Sequence, residues 1–253
     1  MNNKIHVEIL GNGPNLVLLH GWAMHSKIWH SVRDQLAKRY CLHLVDLPGH
    51  GYSPPCQPGT LQRMVDKVWE ILPESCIVCG WSLGGQIAMQ LAIRYPERIS
   101  ALVLIATTPC FVKRPDWPWG METTTLKLFR HNLEQHYEET INRFLTLQLS
   151  GSSDSKPVLA QLRKNFIQCG QPDIHMLLAG LEILLTSDLR DEVKQIKQSV
   201  LLMHGENDVI TPVSAAKWMH QQLQHSKLAL FSGCGHVPFL SDPSQFITSL
   251  YEL

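Results

Sequence analysis

A serine set between two glycines is the first candidate for chemistry in this chain. Ser82 lies at the centre of the pentapeptide Gly80–Gly84, which has the pattern G-x-S-x-G. An apolar run, Cys76–Cys79, precedes the pentapeptide, and the helix-like stretch Gln86–Ala92 follows it. A strand that enters a helix through such a sharp turn strains the backbone of the serine and lifts its hydroxyl clear of the sheet. The setting therefore predicts a nucleophilic serine, with the N–H of Leu83 directed at a developing oxyanion.

A serine hydroxyl is a weak nucleophile, so it needs a general base and a group that orients this base. Asp208 follows the apolar run Val200–Met203, and His236 follows the apolar run Leu228–Phe231. Both residues are therefore expected at the edge of the sheet where Ser82 emerges. The chain order of serine, acid and histidine is the order expected for this type of turn. We predict that Ser82 is the nucleophile, Asp208 the acid and His236 the base.

The same loops contain other candidates for these roles. Glu206 is a second possible acid, and we favour Asp208 because a residue deeper in the loop reaches the mouth of the sheet more naturally. His20 and His50 stand in glycine-containing loops. We assign them loop-shaping hydrogen bonds, because neither follows the acid in chain order.

A second donor to the oxyanion is expected from the loop after the first predicted strand. This loop reads His20-Gly21-Trp22-Ala23, and the N–H of Trp22 would join that of Leu83. Each donor of this kind stabilises the transition state by roughly 3 kcal/mol. The side chain of Trp22 is expected to line the substrate pocket, because its amide points into the site.

The hydrophobic pattern predicts the elements that carry these residues. Near-continuous apolar runs indicate strands buried on both faces, which is typical of a mainly parallel sheet with helices on both faces. The runs are Leu16–Leu19, Cys41–Val45, Ile77–Cys79, Ala101–Ile105, Val200–Met203 and Leu228–Phe231. From 111 to 186 the pattern is helical instead. We predict an α/β core formed by 1–110 and 187–253, with a helical lid, 111–186, inserted over its catalytic edge.

Composition excludes several classes of function. Lys+Arg and Asp+Glu are both 22 in 253 residues, so the charge balance does not point to nucleic acid or to an anionic membrane. The start of the chain lacks the apolar segment of a signal peptide, and no apolar run is long enough to span a bilayer. The seven scattered cysteines fit a reducing compartment, and the 13 histidines show no metal-ligand spacing. We expect a cytoplasmic monomer that needs no metal or other cofactor.

The chain resembles the α/β-hydrolases, and within them the bacterial carboxylesterases of biotin synthesis that demethylate the pimeloyl methyl ester of acyl carrier protein. The resemblance covers essentially the whole chain, and the matches within the predicted lid are the specific ones. The matching segments of the core are Leu18–Trp22, Leu42–Gly49, Gly80–Gly85 and Pro96–Arg98. Those in or next to the lid are Arg143–Gln148, Gly180–Leu184 and Asp188–Arg190. The resemblance implies hydrolysis of this ester through an acyl-enzyme, with the triad given above.

The resemblance also implies binding roles. By this resemblance, the residues expected to contact the substrate are Trp22, Ser82, Leu83, Phe144, Leu145, Thr146, Leu147, Gln148 and His236. The acidic carrier protein is expected to bind to positively charged residues of the lid, which are Arg143 and Lys156 with the neighbouring Arg163 and Lys164. Glu139 and Ala160 occupy other positions of that basic face, and 111–185 contain eight Lys or Arg against eight Asp or Glu. Any carrier-binding patch is therefore local.

Three other functions are compatible with these residues. A broad short-chain carboxylesterase and a carbon–carbon bond hydrolase would use the same triad. A ligand-binding receptor can also retain the triad, because fold and function are separable. A dehalogenase or an epoxide hydrolase is disfavoured, since it would carry an aspartate in place of Ser82.

Overall fold

A single twisted sheet organises the protein. The computed structural model describes residues 4–150, 152, 155–167, 169 and 172–253. Within these residues the sheet has seven strands, in the order β1-β3-β2-β4-β5-β6-β7. The strands are β1 Val7–Leu10, β2 Asn15–Leu19, β3 Cys41–Val45, β4 Cys76–Trp81, β5 Ile99–Ile105, β6 Ser199–Gly205 and β7 Ser226–Phe231. All pairs are parallel except β1 with β3, so the prediction of a mainly parallel sheet is confirmed.

The register of the strands brings their carboxyl ends to one edge. Gly80 of β4 pairs with Leu19, the last residue of β2, and with Leu104 near the end of β5. Gly205, the last residue of β6, pairs with Phe231, the last residue of β7. The loops that follow β2, β4, β6 and β7 therefore leave the sheet side by side, which is where ligand sites form in α/β proteins.

The strands in the middle of the sheet explain why apolar runs located them. Four of the five residues of β2 and six of the seven residues of β5 are buried. The edge strand β1 is absent from the sequence prediction, since it has no continuous apolar run and its Ile9 is 62% exposed. An antiparallel edge strand that is only partly covered lacks the signal that identifies its neighbours.

Ten α-helices complete the described part of the chain. They are α1 His30–Leu36, α2 Leu61–Trp69, α3 Leu83–Arg94, α4 Thr123–Gln135, α5 Tyr137–Leu147, α6 Ser155–Ile167, α7 Ile174–Thr186, α8 Val213–Gln222, α9 Pro238–Ser241 and α10 Pro243–Tyr251. Helices α4 to α7 stand between β5 and β6 in the chain, within the predicted insertion. Helix α4 packs against α5 and α7, and α5 packs against α6. That this insertion works as a lid stays a prediction.

Local capping residues set where some of these helices begin. The side chain of Asp173 accepts the N–H of Met176 at 3.0 Å at the start of α7. The hydroxyl of Thr60 accepts the N–H of Arg63 at 3.2 Å at the start of α2. Each such cap satisfies a donor that the helix itself leaves unpaired and stabilises the helix by about 1 kcal/mol.

Candidate active site

The turn between β4 and α3 holds Ser82 in a strained conformation. Its backbone has φ 55° and ψ −119°, a region that residues with a side chain rarely adopt. The N–H of Ser82 donates to the carbonyl of Ile105 at 3.0 Å, and its carbonyl accepts the hydroxyl of Thr107 at 2.7 Å. A Cβ added to Gly80 would lie 2.3 Å from the carbonyl oxygen of Gly84. The close approach of strand and helix therefore requires glycine, as the sequence pattern predicts.

The three residues predicted to cooperate lie in one chain of hydrogen bonds. The Oγ of Ser82 is 3.0 Å from Nε2 of His236, and Nδ1 of His236 is 2.7 Å from Oδ2 of Asp208. Because the carboxylate is an acceptor, Nδ1 carries the proton and Nε2 is free to accept the proton of the serine hydroxyl. All three residues are buried. The arrangement has the geometry of a nucleophile, a base and an orienting acid.

Asp208 is held as a carboxylate by its surroundings. Its Oδ1 accepts the N–H groups of Ile210 and Thr211 at 2.8 and 3.0 Å, and its Oδ2 accepts the hydroxyl of Thr211 at 2.7 Å. Burial by itself would raise the pKa of Asp208, but the adjacent His236 and these hydrogen bonds outweigh burial and lower it. Burial also lowers the pKa of His204, whose Nε2 lies 3.5 Å from Oδ2 of Asp208. The acid therefore stays ionised and ready to stabilise an imidazolium.

The alternative acid lies elsewhere in the same loop. Glu206 is exposed to solvent, whereas Asp208 is buried and bonded to His236. The geometry therefore favours Asp208 as the partner of the histidine.

Both predicted oxyanion donors border the site. Leu83 is the first residue of α3, so its N–H is among the four that a helix leaves unpaired, at the positive end of the helix dipole. Trp22 lies in the loop after β2, and its indole lines the same cavity as Ser82. The indole Nε1 donates to the carbonyl of Leu177 at 2.8 Å, and its ring meets the ring of Phe144 edge to face at 4.9 Å.

His20 shapes the loop that carries Trp22. Its Nδ1 donates to the carbonyl of Gly21 at 2.8 Å, and its Nε2 accepts the N–H of Leu47 at 2.9 Å. Burial, together with the neighbouring His50, lowers the pKa of His20 to about 3. The ring is therefore neutral at physiological pH, as both hydrogen bonds require, and these bonds are the loop-shaping contacts expected of it.

An apolar cavity opens beside Ser82. The space in it that is open to a water-sized molecule is about 80 Å³. Its walls are Trp22, Ser82, Phe111, Met121, Thr125, Leu126, Phe129, Phe144, Leu147, Leu181, Leu184 and Ile210. None of these residues carries a formal charge. The cavity is suited to an uncharged, largely aliphatic group.

The structure separates the predicted substrate segment into different environments. Phe144 and Leu147 line the cavity, whereas Leu145 is buried in the hydrophobic core and Thr146 is exposed and donates its hydroxyl to the carbonyl of Asn142. Consecutive residues of a helix point about 100° apart, so a continuous run cannot line one wall. Leu83 and His236 are also buried, and neither of them is among the residues that line the cavity.

Gln148 occupies a distinct position at the end of this run. It is fully buried, and its backbone carbonyl accepts the N–H of His236 at 2.9 Å. Among the residues that the structure describes, neither polar atom of its side-chain amide has a hydrogen-bond partner.

Several cavity residues are absent from the sequence prediction. Helix α4 contributes Thr125, Leu126 and Phe129, and α7 contributes Leu181 and Leu184. Their spacing of three or four residues marks one face of a helix, but the same spacing marks residues that only pack in a core. The sequence therefore contains no signal that distinguishes the two roles.

The predicted docking cations lie on α5 and α6. Arg143 and Arg163 border one outer depression, together with Glu139. Arg143 is paired with Glu139 at 2.6 Å, and both side chains are mainly exposed. Lys156 and Lys164 are exposed on α6. The structure thus brings two of the four cations to one depression and pairs one of them, Arg143, with an acidic residue.

The fold and this site define an α/β-hydrolase. A model of the family described as "alpha/beta hydrolase fold" matches residues 14–243, and the chain belongs to this family. The chain is 57% identical over 245 residues to the pimeloyl-(acyl-carrier protein) methyl ester esterase of Nitrosomonas europaea, with 97% of each chain covered. It is 51% identical over 254 residues to the protein of the same name from Nitrosospira multiformis, with 98% of this chain and 97% of the relative covered.

Solved structures agree with the fold. An esterase from Exiguobacterium antarcticum superposes with a TM-score of 0.90 and 24% identity, over 98% of this chain and 94% of the other. A bromoperoxidase from Bacillus anthracis superposes with a TM-score of 0.92 and 21% identity over the same shares of the two chains. At these identities the likeness concerns the fold alone.

The part of the chain that the structure describes has neither a membrane-spanning helix nor a cluster of metal ligands. No helix in that part of the chain is long and apolar enough to cross a membrane. No group of three or more His, Cys, Asp or Glu side chains in it is placed to hold a metal ion.

Proposed function

We propose that this protein is a serine carboxylesterase that hydrolyses the methyl ester of pimeloyl-acyl carrier protein, releasing methanol and the free pimeloyl carrier. The observation that carries the proposal is the bonded series Ser82, His236 and Asp208 at the wall of an uncharged cavity. Relatives that bear the name of this activity match nearly the whole chain at 57 and 51% identity.

The first half of the reaction forms an acyl-enzyme. Nε2 of His236 takes the proton of Ser82 as Oγ attacks the ester carbonyl, and Asp208 stabilises the resulting imidazolium. The N–H groups of Trp22 and Leu83 donate to the oxyanion. The tetrahedral intermediate collapses when His236 returns the proton to the methoxy oxygen, and methanol leaves.

The second half of the reaction repeats these steps with water. His236 takes a proton from the water as its oxygen attacks the acyl carbon, and then returns the proton to Oγ of Ser82. The free carboxylate is released. Every proton transfer uses His236, and no step calls for a cofactor.

The walls of the cavity support an ester substrate with an aliphatic chain. Phe144 and Leu147 are well placed to contact methylene groups beside Ser82. The product carries a carboxylate, and a charge inside a cavity without a charged partner is strongly disfavoured. The cavity therefore favours the neutral ester over the acid and promotes release of the product. Leu145, Thr146 and Gln148 belong to the same predicted segment, but their side chains do not line the cavity, so the substrate contacts proposed here are those of Phe144 and Leu147.

The remaining assignments follow from this activity. We assign carrier docking to Arg143, Lys156, Arg163 and Lys164, and a lid function to the insertion 111–186. We also propose that the enzyme acts in the cytoplasm as a monomer.

The direct test is an assay of methanol release from the methyl ester of pimeloyl-acyl carrier protein. The matched substrates are free dimethyl pimelate, p-nitrophenyl acetate and a vinylogous diketone, with Ser82→Ala as the inactive control. We expect kcat/KM to be highest for the carrier-linked ester, and the gene to restore growth without biotin to a strain lacking this esterase. Higher kcat/KM on the short p-nitrophenyl ester would indicate a broad carboxylesterase, and cleavage of the diketone a carbon–carbon bond hydrolase. Tight retention of product after one slow turnover would indicate a receptor.

A further inference from the structure

The backbone of His236 is held from two sides. Its carbonyl accepts the indole N–H of Trp81, the residue before the nucleophile, at 2.8 Å. Its N–H donates to the carbonyl of Gln148 at 2.9 Å. One of these bonds comes from the sheet core, whereas the other comes from the residue that directly follows α5.

A second hydrogen bond joins the loop that carries His236 to the segment that follows α5. The N–H of Gly235 donates to Oγ of Ser152 at 3.0 Å. Ser152 is itself fixed, because its N–H donates to the carbonyl of Leu149 at 2.9 Å. Two successive N–H groups of the histidine loop are therefore satisfied by residues that follow α5.

The approach between the segments is close. A Cβ added to Gly235 would lie 2.8 Å from the carbonyl oxygen of Gln148 and 3.1 Å from Oγ of Ser152. Contacts of this length leave no room for a side chain, so the two backbones meet directly. A shift of the segment after α5 would therefore move the loop through backbone contacts as well as through the hydroxyl of Ser152.

The same helix faces the substrate cavity. Phe144 and Leu147 of α5 line its wall, one turn or less before Gln148. The base is thus attached to the element that contacts the acyl group. Reacting groups lose about 10²-fold in rate when they are misplaced by about 1 Å, so an anchor of this kind affects the rate.

We propose that Ser152 is a positioning residue for the base. Together with the Gln148 carbonyl, its hydroxyl holds the loop that carries His236, so that Nε2 stays 3.0 Å from Oγ of Ser82. The proposal rests on the proposed function in taking His236 as the base. It adds that residues following α5, outside the sheet core, set the geometry of the proton transfer.

A pair of variants isolates the hydroxyl. Ser152→Thr keeps the hydroxyl. Ser152→Val introduces a side chain with nearly the shape of threonine but without the hydroxyl. We expect Ser152→Val and Ser152→Ala to lower kcat on p-nitrophenyl acetate about fivefold with KM within twofold, which corresponds to the loss of one ordinary hydrogen bond. Ser152→Thr should recover most of the wild-type kcat. Ser244→Ala, an exposed serine on α10, is the control.

Labelling with a fluorophosphonate separates positioning from loss of folded protein. The final extent of labelling counts the folded sites, and the rate of labelling reports how well the base activates Ser82. We expect a full extent and a rate about fivefold slower for Ser152→Val. A wild-type rate and kcat in Ser152→Val and Ser152→Ala would overturn the proposal, as would an equal loss in Ser152→Thr. Activity that survives in His236→Ala would instead refute the proposed function.

Discussion

The sheet edge and the helices between β5 and β6 meet at Ser82, and they bring different kinds of side chain to it. At the sheet edge the polar groups are bonded to one another, from Ser82 through His236 to Asp208 and Thr211. The helices instead bring apolar walls to the cavity, and the adjoining Gln148 has a buried amide without a partner among the described residues.

This difference separates two tasks. A bonded polar network keeps reacting groups in place and in the right protonation state, so we assign the reaction to the sheet edge. Apolar walls recognise shape and size with little directional demand, so we expect the helices to decide which ester is hydrolysed. Substitutions in the first region should change kcat for every substrate, whereas substitutions in the second should change the relative rates for different substrates.

The largest effect is expected at the reacting residues. Ser82→Ala and His236→Ala should each lower kcat by roughly 10⁴- to 10⁶-fold, and the double variant should lose little more, because the residues act as a unit. Steady-state kinetics with p-nitrophenyl acetate and with the carrier-linked ester measure the loss. Additive losses would contradict the assignment.

The next effect concerns the identity of the acid. Asp208→Asn should lower kcat by roughly 10⁴-fold, since an amide would favour the wrong tautomer of His236. Glu206→Gln, at an exposed position of the same loop, should leave kcat within twofold. If Glu206→Gln is the damaging change, the acid has been assigned wrongly.

The polar region should also make stability depend on pH. Burial, with the neighbouring His50, lowers the pKa of His20 from 6.5 to about 3, so the unfolded chain binds more protons between these values. The free energy of unfolding should therefore fall as pH falls from about 6.5 towards 3, with a slope of up to about 1.4 kcal/mol per pH unit from this group. Urea unfolding at several pH values measures the slope, with the exposed His131→Gln as the control. A slope that is not reduced in His20→Gln would contradict this origin.

A smaller effect is expected at the docking cations. Arg143→Glu should lower kcat/KM for the carrier-linked ester about tenfold at low salt, because opposite charges speed the encounter. The loss should shrink as salt shortens the Debye length from about 10 Å at 0.1 M to about 3 Å at 1 M. The matched control is Lys38→Glu, an exposed cation after α1. Equal sensitivity of p-nitrophenyl acetate hydrolysis would show that Arg143 does not dock the carrier.

The smallest effect concerns the unpartnered amide. Gln148→Met keeps the length of the side chain and removes two buried polar atoms, so it should raise the free energy of unfolding by about 1 kcal/mol. Gln86→Met is the matched control and should be destabilising, because the buried Nε2 of Gln86 donates to the carbonyl of Thr108 at 3.3 Å. A destabilised Gln148→Met protein would contradict this reading of the amide.

The parts of the fold that the sequence predicted are those with a strong local signal. Continuous apolar runs located β2 to β7, and the G-x-S-x-G pentapeptide located the turn at Ser82. Strand β1 lacked a continuous run because its Ile9 faces solvent at the sheet edge. The run from Phe144 to Gln148 was predicted as one binding segment, yet its helical part divides between cavity, core and surface.

By itself the sequence determined the kinds of reacting residues and the edge of the sheet where they emerge. It could do so because strand ends are marked by local composition and because parallel strands share one carboxyl edge. Only the tertiary structure decided which residues of the helices between β5 and β6 face the cavity and which residues hold His236. Gly235 and Ser152 lie 83 positions apart. Such contacts depend on how whole elements pack, and a local pattern of residue types contains no record of that packing.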